Sequence, residues 1–107
     1  DYVRLNYKIS QLPSEVAFGD NYRVQLVLHP DENGVSQFKE VYNKDKRLAP
    51  SEVVITGWRR GDRNRLSYGI ESYFVPEGTG LDVERSAKYG IVKVNKHGDA
   101  MLVSLSP

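Results

Sequence analysis

The chain opens in alternation. Val3, Leu5, Tyr7 and Ile9 fall on one side, and Tyr2, Arg4, Asn6 and Lys8 on the other. Period two with β-branched and aromatic residues predicts a half-buried strand, and Tyr2, Leu5 and Tyr7 are expected to anchor it. Leu12-Pro13-Ser14-Glu15 breaks the pattern, because proline lacks the N–H a sheet needs. Gly19-Asp20-Asn21 reads as a turn. Tyr22 to Leu28 forms the next strand, with Tyr22, Val24, Leu26 and Leu28 facing together. Pro30-Asp31-Glu32-Asn33-Gly34 closes it on a hairpin dipeptide. Val35 to Tyr42 pairs back, and Lys39 and Glu40 inside it predict an exposed strand. Asn43 to Arg47 is a polar loop.

Val53-Val54-Ile55-Thr56-Gly57-Trp58 is the most strand-prone run of the chain. Arg60-Gly61-Asp62-Arg63 turns it, and Asn64 to Ile70 returns, with Glu71 to Val75 continuing after a bend at Gly69. Thr79 with Asp82 resembles a capping box, with Asp in place of the usual Glu or Gln. The run from Leu81 to Lys88 has acids early and bases late, which suits the dipole of one short helix. Ile91 to Val94 and Ala100 to Leu105 make a last hairpin across Lys96-His97-Gly98-Asp99. The fold class is therefore mainly β: a small antiparallel barrel or sandwich with one short helix.

Composition narrows the function classes. A chain of 107 residues is the usual size of a single domain. A net charge of +1 gives no general drive toward nucleic acid, which is an unfavoured partner. The absence of cysteine excludes disulfides, zinc-thiolate sites and cysteine nucleophiles. His29 and His97 border turns without a spaced second ligand, so neither a metal nor another cofactor is expected. No apolar run reaches the roughly 18 residues of a membrane span. A chain that begins in strand-like alternation reads as the soluble part of a longer protein.

Two stretches could carry chemistry. Tyr68, Glu71, Tyr73 and Glu77 gather around Gly69 and Pro76. A carboxylate beside phenol hydroxyls can bind a sugar or cation, or act as acid or base. The alternative is structural: a bulge at Gly69, a strand end at Pro76, and Glu71 paired with an arginine. The second stretch holds Arg59, Arg60, Arg63 and Arg65 beside Trp58. Arginine next to an aromatic can meet phosphate or an anionic lipid headgroup; charge at a hairpin tip is also an ordinary solvated surface. Arg60-Gly61-Asp62 spells an adhesion tripeptide, a match that turns produce by chance.

Two segments resemble a known family. Asp1-Tyr2-Val3-Arg4-Leu5-Asn6-Tyr7 is similar to the motif that names the GDYXXLXY family, less its leading glycine. The stretch from Tyr68 through Tyr73 and Pro76 to Gly78 resembles that family's other hallmark. The resemblance implies a bacterial protein with a hydrophobic segment ahead of this domain, hence membrane anchoring with an extracytoplasmic domain. It also implies proximity to polytopic membrane proteins, which makes a membrane-protein partner or ligand the expectation. It brings no activity, cofactor or catalytic residue. The expected function is thus a non-catalytic extracytoplasmic domain. The alternative is a hydrolase or carbohydrate-active enzyme using Glu71 and Glu77 as a carboxylate pair.

Overall fold

The computed structural model describes residues 1–61 and 63–107. In chain order the elements are β1 (Tyr2–Arg4), a 3-10 turn (Lys8–Ser10), β2 (Arg23–Pro30), β3 (Ser36–Val41), β4 (Val53–Arg59), β5 (Leu66–Ser67), β6 (Ser72–Phe74), α1 (Gly80–Ser86), β7 (Tyr89–Val94) and β8 (Ala100–Ser106). They form three antiparallel sheets: a four-stranded one ordered β3-β2-β4-β5, and two ribbons, β1-β6 and β7-β8. Each sheet is open, so of barrel and sandwich it is the sandwich-like arrangement that forms.

The core lies on one side of the four-stranded sheet. Val24, Leu26 and Leu28 of β2 meet Ile55 of β4 and Leu66 of β5, and Leu12, Phe18, Tyr68 and Ile70 cover them from the connecting segments. Val92, Ala100 and Leu102 bring the inner side of the β7-β8 ribbon against this cluster. Burying these aliphatic and aromatic groups is the main force holding the layers together. Gly57 permits a close approach within this core: a Cβ there would lie 2.9 Å from Tyr68 Cε1. The tip of the last hairpin docks on the sheet through Thr56 N–H, which donates to Gly98 C=O at 2.8 Å.

Several expected boundaries move. The first strand ends at Arg4, and Lys8–Ser10 winds into the 3-10 turn. Burial still alternates through Val3, Leu5, Tyr7 and Ile9, but Tyr2 is 75% exposed and anchors nothing in the core. Tyr22 lies in a bend after the Gly19-Asp20 turn, one residue before β2, and is 58% exposed, so it does not join the buried face that Val24 begins. β3 lies at the edge of the four-stranded sheet, and where an exposed strand was expected only Ser36 and Lys39 are exposed, the other four residues being half-buried. The segment from Asn64 to Val75 is two short strands in two different sheets, separated at Gly69, whose φ of +82° is left-handed backbone that favours glycine. The helix runs Gly80–Ser86 without the capping box. Thr79 Oγ1 donates to Pro76 C=O at 2.6 Å, so its hydroxyl closes the preceding turn instead of capping the helix.

Candidate functional site

The two hallmark segments run antiparallel along one another. Val75 N–H donates to Asp1 C=O, and Tyr2, Val3 and Arg4 face Phe74, Tyr73 and Ser72. Leu5 N–H then donates to Glu71 C=O at 2.8 Å. Pairing resumes where Gln11 faces Arg65 and Leu12 N–H donates to Asn64 C=O. Arg4 to Gln11 and Ser72 to Arg65 are the same seven positions apart, so both strands loop out by equal lengths and the register survives.

Tyrosines close that opened stretch. Tyr7 OH donates to Ile70 C=O, and Tyr68 OH donates to Ile9 C=O, each strand clasping the other's backbone. Tyr68 is 2% exposed. The half-buried Glu71 carboxylate turns back on its own corner: one oxygen accepts Tyr68 N–H at 2.9 Å, the other Gly69 N–H at 3.0 Å. Burial, and secondarily the Glu71 charge, push the Tyr7 phenol up to about 12. The same two causes in the same order hold Tyr68 well above the ordinary phenol value. Both hydroxyls therefore remain protonated donors at neutral pH.

These contacts separate the four expected site residues. Tyr68 and Glu71 belong to the clasp. Tyr73 points to the last ribbon, where its hydroxyl lies 3.4 Å from Val103 C=O. Glu77 is exposed in the turn after Pro76. That turn is held by the Asp1 carboxylate, which accepts Gly78 N–H at 2.8 Å. Glu71 has two backbone amides as partners where an arginine was the structural expectation.

The arginine stretch also divides. Trp58 is half-buried on the sheet side opposite the main core, in a row with Arg23 and Ser67. Arg59 turns inward: its guanidinium sits 5.8 Å from the Phe18 ring centre and donates to Gly19 C=O at 2.9 Å. Arg60 donates to Ser67 Oγ at 2.8 Å and reaches Tyr22 OH at 3.5 Å. Arg63 and Arg65 are exposed. The adhesion tripeptide includes Asp62, which lies outside the described residues.

The family model for the GDYXXLXY protein matches residues 1–105. The chain belongs to the GDYXXLXY family. No curated protein and no solved structure matches it. In this GDYXXLXY domain the residues that suggested the family, far apart in sequence, form one paired unit. Among the described residues no group of three or more His, Asp or Glu is arranged to hold a metal ion, and no helix is long and apolar enough to cross a membrane.

Two surface features carried no sequence signal. One is a polar groove of about 360 Å³ beside Arg23, Asn21 and Tyr42. The other is the bare outer side of each ribbon. Tyr2 and Phe74 stack edge-to-face there, ring centres 5.3 Å apart, and Tyr89, Ile91, Met101 and Val103 are exposed on the last hairpin.

Proposed function

We propose that this domain is a non-catalytic binding module, the extracytoplasmic part of a bacterial membrane-anchored protein, that recognises a membrane-protein partner or ligand. The observation that carries the reading is the pair of bare ribbon faces. Tyr2 with Phe74, and Tyr89 with Ile91, Met101 and Val103, leave large apolar groups in solvent where a partner would remove them from water. The exposed Arg63 and Arg65 give the same module a cationic tip for anionic lipid headgroups. The Glu71 carboxylate supports a structural role for the hallmark, since two backbone N–H groups occupy it. No observation favours Glu71 and Glu77 as a catalytic pair.

The test uses the full-length protein in a bacterial host, with a photo-crosslinking residue at Met101, at Arg63, or at Lys44 as control. The expected result is adducts to one integral membrane protein from Met101 and to lipid from Arg63, with neither from Lys44. Absence of adducts from both positions overturns the partner reading. A turnover by the purified domain that Glu77→Gln abolishes, with the fold intact, overturns the non-catalytic one.

A further inference from the structure

The four-stranded sheet has a vacancy in the row of β3. β4 pairs with β2 from Arg23 to Leu28, whereas β3 covers only Leu26 to Pro30. The last bond on the β3 side is Tyr42 N–H to Gln25 C=O at 2.8 Å. On the other side, Tyr22 C=O accepts Arg59 N–H. Backbone groups alternate sides along a strand, so the N–H and C=O of Arg23 face the vacant side.

The polar groove lies at this gap. Arg23, Val24 and Gln25 of β2 line it, Tyr42 closes one end, and Phe18 and Asn21 form a wall. Its size falls in the range of about 300–1,000 Å³ usual for ligand pockets. Arg23 is the charged residue of the lining among the described residues, and Asn21 and Tyr42 add neutral donors. The amide nitrogen of Gln25 is already committed to Thr56 Oγ1 and His97 C=O. The outer edge of β3 is a poorer place for strand addition, because Lys39 and Glu40 sit on it in ion pairs with Glu52 and Lys46.

We propose that an extended peptide bearing a carboxylate fills this vacancy. It continues the row of β3 by pairing with the Arg23 backbone, and its carboxylate meets the Arg23 guanidinium. Strand addition supplies the main-chain hydrogen bonds and the arginine selects the charge. The carboxylate comes either from an acidic side chain or from a chain terminus. The inference rests on reading the domain as a binding module and gives that module a ligand class.

The experiment is an amide-resolved NMR titration with short labelled peptides of alternating threonine and valine. One has a free C-terminal carboxylate, one is amidated, and one is amidated with an internal aspartate; sodium acetate is the fourth probe. Expected are shifts at Arg23, Gln25 and Tyr42 with at least one carboxylate-bearing peptide, weakened about tenfold or more by Arg23→Gln, as loss of a charge-assisted bond requires. Arg85→Gln, an exposed change on the helix, leaves them unchanged. Which carboxylate peptide binds identifies the source. No binding, shifts elsewhere, equal binding by the amidated neutral peptide or by Arg23→Gln, or acetate alone matching the peptides overturns the proposal. Lost peptide binding with the membrane cross-links intact removes only this site; the reverse removes only the membrane-partner reading.

Discussion

Removing the two tyrosine hydroxyls that close the looped-out stretch tests what the hallmark segments do. Tyr68→Phe keeps the buried ring against Gly57 and Leu66 but leaves Ile9 C=O without its donor. Tyr7→Phe does the same to Ile70 C=O. An unsatisfied buried acceptor costs about 1–3 kcal/mol. Both bonds are partly buried, so each single variant falls in the lower half of that range. Both bonds close one opened stretch, so the double variant departs from additivity by about 0.5 kcal/mol or more. Against a typical domain stability of about 5–15 kcal/mol the combined loss is large. For a chain of this size each kcal/mol lowers Tm by about 4 °C. Urea unfolding followed by circular dichroism and by the fluorescence of Trp58, the single tryptophan, measures it. Both single variants unfolding within about 0.5 kcal/mol of the parent, the scale of an ordinary surface substitution, would refute the clasp.

Glu71→Gln replaces one acceptor oxygen by an NH₂ facing a backbone N–H, and is expected to destabilise by about 1–3 kcal/mol in the same assay. Tyr73→Phe, whose bond to Val103 is long, is expected to stay within about 0.5 kcal/mol of the parent. Gly57→Ala sets a methyl against the Tyr68 ring and is expected to cost about 1–3 kcal/mol and alter the near-ultraviolet spectrum of the tyrosines. At alkaline pH, Tyr7 holds its proton more tightly folded than unfolded. Its stabilisation is complete below the ordinary phenol value of 10.0 and is lost as pH rises toward about 12, so Tyr7→Phe flattens the alkaline limb of a stability–pH curve. Asp31 behaves oppositely. The N–H groups of Val35 and Asn33 hold its carboxyl below the ordinary value, so its contribution is present above 3.8 and fades as pH falls through the lowered folded value; Asp31→Asn flattens the acid limb.

Most element positions were legible in the sequence. Alternation in Val24, Leu26 and Leu28, and the strand-prone run from Val53 to Trp58, found the two central strands. The Asn33-Gly34 and Gly98-Asp99 signals found two hairpins. The lone helix was placed within two residues of its ends. These are local effects of side-chain period and turn chemistry. The first strand was overextended because alternation marks which face is buried, and burial alternates from Val3 to Ile9 even where Lys8–Ser10 is no longer extended.

Local pattern also suggested the family and kept both a structural and a chemical role open for the stretch from Tyr68 to Glu77. What the sequence by itself determined is a mainly β domain of the GDYXXLXY family with its strands and turns largely in place. Only the tertiary structure decided that Tyr7 and Tyr68 bond each other's segments, that Arg59 faces Phe18, and that β3 stops short of Arg23. These arrangements join residues dozens of positions apart. Their partners depend on sheet register and on where a neighbouring chain turns away, and neither leaves a periodic trace in the local sequence.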